Sequence, residues 1–221
     1  MPDADERFPV DPSAPVFFLS YSWVRVPGSR RAQANAYRHV LELFDMLTAD
    51  VPGLIQLAAG QQPGFLDREV ITGGEDWQDE VKQAVSTCQV LVALLTPDYP
   101  TRPWCRFEWD TFASRTAYNR ATGRPTRKTS ILPVLWTPYG KMPPHGRQIG
   151  RFIPTGLPQE YVAHYEENGL LGLAKTYPEQ FRAVAWKLAM RISEFWYTRW
   201  TAPATTTPGE TADDATEGGA E

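Results

Sequence analysis

The chain of 221 residues has little with which to do metal, redox or phosphate chemistry. It holds two cysteines and three histidines. Cys88 and Cys105 do not form a metal pair, and His39, His145 and His164 are scattered without metal-ligand spacing, so no metal is expected. No Gly-x-Gly-x-x-Gly follows an apolar run, and there is no phosphate-cradling P-loop. A Gly-x-Ser-x-Gly nucleophile elbow is missing too. Dehydrogenases, kinases, triad hydrolases and zinc enzymes therefore lack their basic parts here. A surplus of positive charge is also absent. The formal net charge is −4, but residues 201–221 carry five acidic side chains and no basic one, which leaves the rest near neutral. Binding driven by phosphate neutralisation is excluded on that balance, and no nucleic-acid partner is expected. The longest aliphatic run, Val90 to Leu95, is far too short to span a bilayer. The start, Met1 to Glu6, is acidic and lacks the apolar run of a signal peptide. A cytoplasmic location follows as an expectation, with Cys88 and Cys105 as buried free thiols in a reducing compartment. There is no internal repeat.

What is present suits a globular core. Eight tryptophans and a 42% hydrophobic fraction make an entirely disordered chain untenable. The simplest organisation is one body over residues 15–199, flanked by a loose polar N-terminus (1–14) and a disordered acidic tail (200–221). Val16-Phe17-Phe18-Leu19-Ser20-Tyr21 and Val90 to Leu95 are continuous apolar runs, the pattern of strands buried on both faces. Gly64 to Asp67 and Ile131 to Trp136 are shorter strand candidates, the latter weakened or placed at an edge by Pro133. Helical periodicity runs over about 33–49, over a helix capped by Asp76, over a helix starting near Pro103, and over 178–199. Trp23 to Arg31 and Arg68 to Asp76 read as loops, and residues 137–160, rich in Pro and Gly, give no assignable element. Strands alternating with helices predict an α/β fold with a parallel sheet covered on both faces.

One residue is out of place in this pattern. Cys105, Trp109 and Phe112 stand at i, i+4 and i+7, and Glu108 takes the i+3 position of the same apolar stripe. A carboxylate on the core side of a helix is costly unless paired, hydrogen-bonded or used. Open α/β sheets bind ligands beyond the carboxyl ends of their strands. The polar residues leaving those ends are Ser20, Tyr21 and Ser22, then Asp67 and Arg68, then Thr96. They are expected to converge on one crevice with Glu108 in its wall.

Taken in order, Phe17-Phe18-Leu19-Ser20-Tyr21-Ser22, Gly64-Phe65-Leu66-Asp67, Gly74-Glu75-Asp76-Trp77, Val90 to Pro97 and Trp104-Cys105-x-x-Glu108-Trp109 resemble a bacterial Toll/interleukin-receptor (TIR) domain over about residues 15–136. The stretch Tyr165 to Ile192, with Asn168-Gly169-Leu170-Leu171-Gly172-Leu173, further resembles TIR-like proteins encoded beside peptide-maturation genes. The resemblance implies a flavodoxin-like three-layer fold with a central, mostly parallel sheet of about five strands, with a C-terminal helical extension. It implies NAD nucleosidase activity that cleaves the nicotinamide–ribose bond, with NAD as substrate and no cofactor, in signalling or defence. Glu108 takes the catalytic position, and Ser20, Tyr21 and Ser22 line the pocket. Residues 68–76 correspond to the loop through which members self-associate; other TIR or sensor proteins are further expected partners. Trp77 or Trp104 would stack on a nicotinamide or adenine ring, and Arg68 would meet a phosphate. Asp67 completes the expected substrate-binding set. At the start of a helix the dipole favours the anionic form of Glu108.

Blander readings stand beside these. Glu108 could pair with a buried arginine such as Arg68. The tryptophans could be core, and Ser20 and Ser22 could merely turn the chain. Arg115, Arg120, Arg124, Arg127 and Lys128 read as a solvated loop. Two departures from the family pattern bear on turnover and assembly: Trp23-Val24-Arg25 follows Ser22 where an acidic residue is frequent, and Ile71-Thr72-Gly73-Gly74 lacks the frequent Pro-Gly. A non-catalytic TIR interaction module and a related glutamate-dependent nucleoside or nucleotide glycosidase are the alternatives.

Overall fold

The computed structural model describes residues 8–9, 11–22, 30–66, 77–138 and 149–204; the side chains of residues 30–36 and 77 also lie outside that description. The elements are β1 (Phe17–Tyr21), α1 (Arg30–Leu54), β2 (Gly64–Leu66), α2 (Trp77–Thr87), β3 (Val90–Leu95), a 3₁₀ turn (Tyr99–Thr101), α3 (Pro103–Ala113), β4 (Ala117–Asn119), β5 (Pro125–Thr126), β6 (Ile131–Leu135), α4 (Gln159–Thr176), α5 (Pro178–Thr198) and β7 (Arg199–Thr201).

Among the described residues, four parallel strands form the central sheet in the order β2-β1-β3-β6, one fewer than the five or so expected. The fold is α/β with a parallel central sheet, and the order agrees with a flavodoxin-like fold. The continuous apolar runs make sense in this setting, since both sheet faces are covered. Phe17, Leu19, Val90, Val92 and Leu94 pack with Leu43 and Leu47 of α1 and Val184, Leu188 and Ile192 of α5. Phe18, Leu91, Ala93 and Leu95 point the other way, onto Val81 and Val85 of α2 and Cys105, Trp109 and Phe112 of α3. The alternation follows from the two-residue period of a strand. Pro133 sits in β6, at the end of the strand order, where its missing N–H removes no ladder bond. The carbonyl of Pro133 accepts from Phe152 N at 2.8 Å, and the N–H of Leu135 donates to the Tyr165 hydroxyl at 2.9 Å. The outer side of β6 is thereby satisfied by the chain leading into α4 and by α4 itself.

Helix α4 was not legible in the sequence, and the backbone explains why. Gly169 breaks it with φ 68° and ψ 173°, conformational space that essentially only glycine enters. A Cβ there would stand 2.6 Å from the Trp136 carbonyl oxygen. The kink brings Leu171 N to that same carbonyl at 2.9 Å, so α4 bends onto the end of β6.

The ends of the described chain correct two expectations. Residues 200–204 are not part of a disordered tail. β7 pairs with β4 in a second, antiparallel sheet ordered β5-β4-β7, and Ala202 and Ala204 continue with backbone bonds to Thr116 and Ser86. Phe8, within the segment expected to be loose, is 4% exposed, with its ring against those of Tyr118 and Trp200. Arg115 is not in a solvated loop either. It is 8% exposed and donates to the carbonyls of Val85 (2.9 Å), Thr201 (3.2 Å) and Ala202 (2.8 Å), with its guanidinium 4.8 Å from the Phe112 ring centroid. The reason is a planar donor fork that matches three converging carbonyls. Arg124, Arg127 and Lys128 are exposed as expected, and Arg120 is half-buried.

Replacing Gly169 by alanine is predicted to destabilise the protein by about 1–3 kcal/mol from backbone strain alone. Urea unfolding checks this; a midpoint equal to that of the wild type would show that the kink is not fixed by glycine.

Candidate functional site

The site begins with the pleat of β1. Phe18 faces α2 and α3, so two residues on Ser20 faces the same way, and Phe17, Leu19 and Tyr21 face α1. Across from Ser20, α3 opens with Pro103 at its first turn and Arg102 preceding it in extended backbone. The stripe expected on this helix is observed: Cys105, Glu108, Trp109 and Phe112 are its buried residues. Glu108 lies in the second turn, 1% exposed, and its Oε2 accepts a short hydrogen bond from the Ser20 hydroxyl.

The Ser20 oxygen also lies 2.6 Å from the Tyr99 hydroxyl. Serine has one proton to give. With that proton on Glu108, the Tyr99 phenol is the donor to Ser20, and the chain runs Tyr99 to Ser20 to Glu108. Burial drives the Tyr99 pKa well above its usual value, with the Cys105 and Glu108 charges adding to the effect and the Ser20 bond opposing it. Tyr99 therefore stays protonated at neutral pH.

A second cluster closes the edge beside it. Asp98 accepts from Ser22 Oγ (2.8 Å), Thr96 Oγ1 (2.6 Å) and the Arg102 Nε and Nη2 (3.0 and 2.9 Å). Partial burial raises the Asp98 pKa, but the bonds from Thr96, Ser22 and Arg102 outweigh it and leave the carboxyl below its usual value. The Cys105 thiol donates to the Tyr21 carbonyl at 3.4 Å, which ties α3 to the last residue of β1. Cys88, the other free thiol, is buried beside Arg115; burial pushes it up to about 11, so it stays a thiol.

Of the residues expected to converge, Ser20 meets Glu108, and Ser22 and Thr96 share Asp98 beside them. Tyr21 does not join them through its side chain. Its ring turns to the opposite sheet face and packs edge-on against Tyr37 at 5.5 Å, because odd positions of β1 point to α1. Trp104 is half-buried and stacks on Phe107 at 5.0 Å along α3, within the α2–α3 side of the core. Asp67, Arg68 and the loop 68–76 lie outside the described residues; Trp77 opens α2, with its side chain outside the description. Sequence reasoning missed Tyr99 and Asp98. Both follow β3 directly, and the rule that selected Thr96 at that strand end would have reached them.

Position in the sheet is the last element of the site. From β1 the chain crosses to β2 on one side and then to β3 on the other, so the order reverses between β1 and β3. Ser20 and Glu108 lie at the carboxyl end of that switch point, where flavodoxin-like sheets bind their ligands.

A family model of the TIR domain matches residues 56–163, which include β2, β3, α3 with Glu108, and β6. Over those residues the chain carries a TIR domain. β1, which precedes the matched segment, is hydrogen-bonded to β2 and β3 within the same sheet. No curated protein matches the chain. Among the described residues, no helix is long and apolar enough to cross a membrane.

The lowered Asp98 pKa fixes the sign of a pH effect. A depressed carboxyl contributes stability above its unfolded value, near 3.9, and loses it as pH falls through the folded value. Asp98→Asn is thus predicted to unfold at a lower temperature than the wild type at pH 7, and the gap is predicted to narrow below about pH 4. Calorimetric melts across that range measure it; a gap independent of pH would contradict the role given to the ionised Asp98.

Proposed function

We propose that this TIR domain is an NAD nucleosidase with Glu108 as its catalytic residue, acting on self-association in the cytoplasm, in bacterial signalling or defence. The observation that supports this best is the placement of a carboxyl, oriented by Ser20, at the carboxyl end of the β1–β3 switch point. Sheets of this order take nucleotides there, and TIR domains include both NAD-cleaving enzymes and adaptors.

In the reaction, the bond between C1′ of the ribose and the nicotinamide nitrogen breaks. The electron pair leaves with the ring, whose positive charge is thereby neutralised, and positive charge develops on the ribose. Water then forms the new bond to C1′ and loses a proton to solvent. A fixed carboxylate close to the ribose stabilises the developing cation. Preorganisation is what the protein contributes, because Ser20 holds Oε2 before substrate arrives. NAD, or a related nucleotide, is the partner this chemistry needs, and no cofactor takes part. Arg68 for a phosphate and Trp77 or Trp104 for a ring are the remaining assignments.

A second reading has an observation of its own. Glu108 is 1% exposed in the single chain, which suits a carboxyl retained for structure in a non-catalytic interaction module. In the enzymatic reading the same burial requires that assembly uncover the site, and residues 68–76 are the proposed contact. A glycosidase acting on free nucleosides or nucleotides would use the same carboxyl.

Concentrated protein incubated with NAD is predicted to release nicotinamide, and Glu108→Ala is predicted to reduce kcat by at least about 100-fold. Liquid chromatography of the products, with nucleosides and mononucleotides as parallel substrates, separates the readings. Intact NAD with wild-type protein, or equal release by Glu108→Ala, would sink the enzymatic reading. Loss of self-association on charge reversal within 68–76, with NAD left intact throughout, would favour the interaction module.

A further inference from the structure

We propose that Tyr99 is a positioning residue for the Glu108 carboxyl, acting through the Ser20 hydroxyl. Its catalytic consequence rests on the NAD reading above; the geometric claim does not.

A serine hydroxyl is a rotor, and its single proton can point to any acceptor within reach. A donor on its other side leaves Ser20 one orientation, toward Glu108. The Tyr99 hydroxyl, 2.6 Å away and buried, does this. An ionised Oε2 can only accept, so Ser20 gives its one proton there and the phenol gives its own to Ser20. The phenol is itself held from two directions. Its ring meets Trp109 edge-on, with centroids 6.4 Å apart at 74°, and Trp109 is the neighbour of Glu108 on α3. Its backbone N–H donates to the Thr96 carbonyl at 3.2 Å, and the Asp98 cluster fastens that turn to Ser22 at the end of β1. Tyr99 thus carries the position of the turn after β3 to a carboxyl on α3 through an atom on β1. It need not touch a substrate to do so.

A residue that acts through Ser20 has a distinctive signature. Tyr99→Phe keeps the ring and removes the proton. It is expected to lower kcat for nicotinamide release by about 5- to 10-fold, the scale of one hydrogen bond, and to leave KM within about twofold. Ser20→Ala is expected to lose at least as much, and adding Tyr99→Phe to it is expected to cost nothing more. Wild-type kcat in Tyr99→Phe, or losses that multiply in the double variant, would overturn the inference.

The same four proteins give a second readout that needs no activity. Tyr99→Phe is expected to lower the melting temperature by about 2–4 °C in the wild-type background and not in the Ser20→Ala background. Equal drops in both backgrounds would overturn the relay. Should the wild type release no nicotinamide, the NAD reading fails alone, and this melting cycle still decides whether Tyr99 acts through Ser20.

Discussion

A carboxyl on the buried side of α3 is the constraint on which the carboxyl edge of this sheet depends. An unpaired buried charge costs several kcal/mol, whereas a hydrogen bond to a charged group returns about 1.5–3 kcal/mol. The fold meets the cost with a hydroxyl that only one face of β1 can deliver. Ser20 is two residues beyond Phe18 and shares its direction; a one-residue slip would present Leu19 or Tyr21 to Glu108 instead. The parallel ladders Phe17–Tyr21 to Val90–Leu94 and Phe17–Leu19 to Gly64–Leu66 therefore set the chemistry as well as the core. Cys105 and Asp98 reinforce the same junction from either side, the first by its bond to the Tyr21 carbonyl and the second through Ser22.

Away from this edge, Arg115 organises the other end of the α2–α3 layer. Its guanidinium joins the last turns of α2 to residues 201–202 by bonds to carbonyls, and Gln89 completes the seam with Thr201 at 2.9 and 3.2 Å. Burial lowers the Arg115 pKa, offset in part by Cys88. Such a seam holds residues 201–204 as the end of β7 and its continuation. Phe8 packs on the same small sheet with Trp200 and Tyr118, so both ends of the described chain meet at one place.

Where the sequence pattern was strong, it was sufficient. Val90 to Leu95 is a strand buried along its whole length, and the periodic face Phe181, Val184, Ala185, Leu188, Ile192 and Phe195 is the buried face of α5. Glu108 could be singled out because its i+3 position on an apolar stripe breaks a rule that has a known cost. The failures have equally local causes. Gly169 and Gly172 hide α4, since the backbone kink resets the helical period that would have revealed it. Arg115 looked solvated because sequence shows its charge but not three carbonyls converging from residues 85, 201 and 202. Tyr21 was grouped with Ser20 by adjacency, although alternation along β1 separates them. Tyr99 follows the end of β3 by four residues, so the strand-end rule applied only as far as Thr96 stops short of it.

The central question is whether the site is built around the charge of Glu108 or around its shape. Glu108→Gln retains the size of the side chain and an oxygen that can accept from Ser20, and removes the charge. Nicotinamide release from NAD by this variant, at a protein concentration where the wild type turns over and with melting temperatures matched, is the most direct measurement. A loss in kcat of at least about 100-fold is expected, with the fold intact. Release at the wild-type rate by Glu108→Gln would contradict it and leave Glu108 as a structural carboxyl.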